Sequence, residues 1–325
     1  MFTIFTQMTE RWLLPTLPDS IPASTLARAD ELERSSAFLA GLVAPETAAC
    51  LSEHIKITNA HYSSGVDGEP SEPEVLNRAF ILEHHQSAFG EIPELRRRIV
   101  AVLCQHYQLL HRPTHRDGIQ AFARAITFEH FALLGLQPHL WSLSRGLVRR
   151  LNEYQSATGM NDLMKTDGLE GAQKRIGGGQ LAFIDFMLDV CNEEADYMTN
   201  ALSRHQLRES VTHAYRVNWR LSEAGVSPKT MPALLALLIQ GSLPRIEFVT
   251  FTGLPPEAAS EQLNRLLILG IHADYHHNGG SQPGIGNELT QPFYLADFGL
   301  RPHRRLRLRG IGSSHYEGMH SALPM

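Results

Sequence analysis

QHYQLLHRPTHRDGIQAFARAI, residues 105–126, carries the decisive pattern of the chain. An apolar helix ends near Leu110, a polar turn with Pro113, Asp117 and Gly118 follows, and a new helix starts near Ile119 with Arg124 on its second turn. A loop feeding a helix N-terminus presents unpaired backbone N–H groups and the positive end of the helix dipole, which together hold an anion such as a phosphate. Asp117 would then take Mg2+ bridging two phosphates, and Arg124 would reach a terminal phosphate oxygen. The same residues also fit a plain helix–helix turn, with Asp117 as an N-cap and Arg124 on a solvated face.

Working outward, STLARADELERSSAFLAGL (24–42) places Leu26, Leu32, Phe38, Leu39 and Leu42 at helical spacing, with Ser24 or Thr25 as the N-cap. PETAACLSEHIKITNAHY (45–62) reads as a second helix that stops at SSGVDGEPSEP (63–73), where glycines and prolines indicate a turn and Ser71 with Glu74 opens another helix. Further helices are expected over 95–110, 121–136, 142–157 and 180–202. LMKTDGLEGAQKRIGGGQ (163–180) has no apolar period and reads as a loop, with Gly177–Gly179 as a flexible linker because no GK[ST] follows. Almost nothing before residue 240 alternates like a strand, so the expected fold class is mainly α, a helical bundle over 24–215 behind an N-terminal extension, 1–23.

From Pro228 the pattern becomes helix, short helix, turn, helix and a candidate β-hairpin, as a winged helix-turn-helix over 226–300 would show. The segment 301–325 reads as a poorly ordered basic tail with Arg301, Arg304, Arg305, Arg307 and Arg309. His272, Asp274, His276 and His277 cluster without a metal-ligand spacing, and Asn278-Gly279-Gly280 makes an exposed hairpin tip the better reading.

Lys+Arg 29 against Asp+Glu 34 gives a net charge of −5, so any nucleic-acid contact must be local. The three cysteines, Cys50, Cys104 and Cys191, form no CxxC pair and no even disulfide framework, which points to a reducing, cytoplasmic compartment. No apolar run approaches the roughly 20 residues of a membrane span.

The 105–126 window resembles the signature of the Fic family of protein adenylyltransferases, HPFx(D/E)GNGRxxR. NAHYSSGVDGEPSEP (59–73) is similar to the family's regulatory helix, (S/T)xxxE(G/N), with Ser63, Asp67 and Gly68 at the matching positions. HLWSLSRGLVRRLNEYQSA (139–157) is similar to the LWSxxRGLAR segment, and 228–295 to the winged helix of one subgroup. The resemblance implies a Fic-like helical fold and transfer of AMP from ATP, with Mg2+, to a target protein hydroxyl. It implies Gly118 and Arg124 at the nucleotide, Asp117 at the metal, and Ser63 and Asp67 as the regulatory pair that occupies the second signature Arg.

The departures lower that expectation. Pro113 stands at the catalytic His position, His115 at the Phe, Ile119 at the Asn, Gln120 at the Gly and Ala121 at the first Arg. Proline cannot accept a proton, so His111 and His115 are the only nearby substitute bases, each displaced by two positions. The family's target-clamping β-hairpin has no counterpart between Gly68 and Pro113. Activity is therefore expected to be weak or lost, with ATP and Mg2+ bound weakly or not at all. Alternatively, the winged helix and arginine tail serve DNA, or protein and self contacts, on a Fic-like scaffold. Against DNA, the expected reading helix exposes Glu257 and Glu261 beside Asn264 and Arg265.

Overall fold

The computed structural model describes residues 14–67, 78–111, 118–158, 169–241 and 243–269, with backbone alone for 78–80 and 169–178. These residues contain helices and no strand. They comprise α1 (Ala23–Leu42), α2 (Pro45–Asp67), α3 (Arg78–Phe89), α4 (Leu95–Leu110), α5 (Ile119–Leu133), α6 (Leu143–Arg149), α7 (Leu151–Ala157) and α8 (Leu169–Ala201). Then follow α9 (Arg204–Val217), α10 (Trp219–Glu223), a short 3-10 turn Pro228–Thr230, α11 (Met231–Gln240), α12 (Arg245–Thr252) and α13 (Pro256–Ile268). The expected wing over 270–300, the tail 301–325 and the cluster His272, Asp274, His276 and His277 lie outside the described residues.

The middle of α4 is buried on every side: Ile99 through Cys104 have no solvent exposure, and Gln105 and His106 almost none. A helix enclosed all round is a core helix, and α1, α5 and α8 surround this one. Leu32 and Leu39 of α1 face that core, but Phe38 is 60% exposed, because apolar spacing near three and four covers more of the helix than the face α8 occupies. The N-cap of α1 is Pro22, ahead of the expected Ser24 or Thr25. Thr25 is instead buried and donates to Asp185 Oδ1 at 2.8 Å. Arg28 continues the seam, 3.2 Å from Asp185 and 2.8 Å from Asp189.

Two expectations are corrected along the chain. The single helix over 142–157 is two, because Arg150 at φ −118°, ψ 36° interrupts it and turns its guanidinium onto Glu153 and Glu193. The loop expected over 163–180 is largely α8, which passes straight through Gly177–Gly179. Packing against α4 explains the last of these glycines: a Cβ at Gly179 would stand 2.8 Å from the Tyr107 hydroxyl. Tyr107 is 3% exposed and wedged between His111 and Phe183, so it has little room to retreat. Gly179→Ala should therefore lower stability by ~1–2 kcal/mol despite alanine's better helix propensity. Tyr107→Phe should recover most of that loss in urea unfolding, whereas a stabilised Gly179→Ala protein would refute the close approach.

A second apolar cluster begins in α9 at Val211 and Ala214 and takes in Leu221, Leu234, Phe248, Leu263 and Leu266. Leu207, one turn earlier on α9, belongs to the first cluster, so one helix serves both. Thr47 Oγ1 at the start of α2 also donates to Leu238 O of α11 at 3.1 Å. After Pro256 at its start, the exposed positions of α13 are Glu257, Glu261, Asn264 and Ile268, a single helical face. Arg265 reaches Glu261 and the carbonyl of Gly225.

Candidate functional site

Arg124 lies on the second turn of α5, which begins after Gly118 in the left-handed conformation, φ 85°. That φ favours glycine. The guanidinium is not on a solvated face: its side chain is 3% exposed. Across from it, α2 runs on through Ser63, Ser64 and Gly65 to Asp67, so the described part of the expected turn, 63–67, is helix. The i, i+4 spacing puts Ser63 and Asp67 on one face of α2, and that face meets Arg124.

Arg124 Nε donates to Ser63 Oγ at 3.2 Å, and Nη2 donates to Ser63 Oγ at 2.8 Å and to Asp67 Oδ2 at 2.5 Å. The carboxylate contact is single: Asp67 Oδ1 and Arg124 Nη1 are buried and lack a partner. A shorter acid engages the fork with one oxygen, and Ser63 takes Nε and shares Nη2 with it. With its side chains 3% and 19% exposed, the pair is shielded from the screening that makes surface ion pairs worth so little.

Behind the guanidinium stands a network that sequence reading missed. Thr127 Oγ1 donates to Ala123 O at 2.8 Å, so His106 Nδ1, 2.9 Å away, must donate to that oxygen. His106 Nε2 is left as the acceptor toward the Tyr154 hydroxyl at 3.4 Å. Burial and the nearby Arg124 charge push the His106 pKa down to about 3, fixing the ring as neutral. Burial pushes the Tyr154 phenol up to about 12, with the Arg124 guanidinium opposing that rise.

The helix that carries Ser63 and Asp67 is braced from below. Ser142 Oγ caps α6 and donates to Asn59 Oδ1 of α2 at 2.7 Å. Arg145 of α6 is stacked 3.5 Å over the Tyr197 ring, and its Nε lies 2.7 Å from Glu194 Oε2 of α8. Arg149 reaches the other oxygen of Glu194 at 3.3 Å. Burial pushes the Glu194 carboxyl up, against the pull of both arginines.

The structure thus brings together Ser63, Asp67 and Arg124, three of the residues singled out in the sequence, with Gly118 one turn and a half before Arg124 on the same element. His111 is the C-cap of α4; its Nδ1 donates to Tyr107 O at 2.8 Å and its ring stacks on Tyr107 at 3.9 Å. Burial lowers its pKa, opposed by backbone bonds to Tyr107 and Thr158. A base held in this way to the backbone is not free to swing toward a substrate. His115, Asp117 and Pro113 lie outside the described residues. The chain matches none of the known family models, curated proteins or solved structures with which it was compared.

Proposed function

We propose that the chain is a Fic-like protein whose phosphate site is closed by its own α2 helix and whose transfer of AMP from ATP to a target hydroxyl is absent or marginal. The observation that carries this reading is the buried contact of Arg124 with Ser63 and Asp67. A phosphate reaching Arg124 must displace a carboxylate already bonded to it, and hydrogen bonds to charged groups contribute ~1.5–3 kcal/mol each. Chemistry is impaired separately, because Pro113 supplies no base and Ala121 no phosphate-binding charge. General-base catalysis contributes ~10²–10⁴ and electrostatic stabilisation about another 10²–10³, so the combined deficit is at least ~10⁴. DNA binding is not part of the proposal, since the outward face of α13 carries two carboxylates.

Labelled ATP incubated with the protein and cell lysate tests the reading. The native chain and Asp67→Ala should label nothing, whereas a chain restored to HPFRDGNGR over 113–121 and carrying Asp67→Ala should label targets. Robust labelling by Asp67→Ala alone, lost again with His111→Ala or His115→Ala, would show that a displaced histidine has taken the base's place.

A further inference from the structure

Helices α3 and α5 meet through histidines. His85 Nδ1 lies 3.1 Å from His130 Nδ1. The rings of His84, His85, His130 and Phe89 pack together with centroids between 4.9 and 6.3 Å apart. Two imidazole nitrogens at 3.1 Å share one proton, one donating as N–H and the other accepting with its lone pair. Beside them, His84 Nε2 lies 2.8 Å from Gln105 Nε2. His130 has no solvent exposure, and its Nε2 is buried without a partner.

We propose that the His85–His130 pair is an acid-sensitive latch, holding α3 against α5 while both rings are neutral and releasing α3 when they are protonated. Once both rings are protonated, two N–H groups stand face to face and the attraction turns into repulsion. Among the described residues, Arg98 from α4 and, once protonated, His84 from α3 disfavour a positive charge on the pair. Burial acts in the same sense on both rings. A cation is therefore accommodated only when α3 moves away and water enters. The sign follows from the solvated reference: with neutral rings inside and an ordinary pKa of ~6.5 outside, the latch holds above pH ~6.5. Below it, opening rises about tenfold per pH unit for His130, the ring that burial holds neutral. This inference is independent of any nucleotide chemistry at Arg124.

Amide hydrogen exchange on the full chain at pH 7.5 and 5.5, corrected for intrinsic exchange, tests the latch. Opening of α3 should rise at least about tenfold relative to α8, and His85→Leu/His130→Leu should abolish the rise. Unchanged α3 protection in the native chain, or a double variant that keeps the full rise, would overturn the proposal. Should the double variant fail to fold, an NMR titration of the native ring nitrogens decides: protonation coincident with α3 opening supports the latch, and protonation with α3 still protected overturns it.

Discussion

Glu194→Ala should cost about 3–5 kcal/mol in urea unfolding, because it strands a buried cation. Glu194 is 1% exposed and is approached by Arg145 and Arg149 from one side. Arg149 is half exposed and can turn to water, but Arg145 is fixed beneath the Tyr197 ring and is only 11% exposed. Removing the carboxylate leaves that guanidinium desolvated, and a loss of this size is a large part of the ~5–15 kcal/mol that stabilises an ordinary domain. The damage should not stay local. Helix α6 carries Arg145 and holds α2 through Ser142 and Asn59, so the contact of Asp67 with Arg124 should loosen as well. A change below about 1 kcal/mol would mean that Arg145 finds water without Glu194.

Lowering the pH from 7 to 5 should remove about 4 kcal/mol of stability, roughly 2 from each of His106 and His130. Burial pushes their pKa values down to about 3 and about 2, the Arg124 charge adding to the first and His84 and His85 to the second. Both rings are neutral in the folded protein and take up protons near ~6.5 once unfolded. Their contribution is therefore complete above pH ~6.5 and is lost progressively as pH falls toward the folded values. Glu194 works in the opposite direction, since a carboxyl whose pKa burial raises gains stability on acidification and offsets part of this loss. Urea midpoints measured across the range in native protein and His130→Leu should show a shallower dependence in the variant; equal slopes would show that His130 is not held neutral.

How much of this was legible follows from how local each signal was. Helices over 95–110 and after Gly118 were readable because apolar periodicity and a glycine break are properties of neighbouring residues. The glycines at 177–179 signal a loop for the same reason, that only neighbouring residues are read; what calls for a glycine at 179 within a helix is the Tyr107 hydroxyl on another element. Phe38 misled because periodicity marks a stripe without saying how wide a partner covers it. Asp67 and Arg124 were paired through a resemblance, since no period links residues so far apart. No local pattern links His106, Thr127 and Tyr154: their contact exists only where α4, α5 and α7 converge. Two buried polar residues on the apolar helix 95–110, Gln105 and His106, were the one available hint that such a network existed.

Calorimetric titration of ATP with Mg2+ tests the proposal that α2 closes a phosphate site by holding Arg124. Native protein, Asp67→Ala and Asp67→Ala/Arg124→Ala would be compared. The native chain should bind more weakly than micromolar, and Asp67→Ala should bind roughly ten- to a hundredfold tighter, as a freed guanidinium gains hydrogen bonds to phosphate. The double variant should lose that gain. Micromolar affinity in the native chain, or one indistinguishable affinity in all three proteins, would contradict the account.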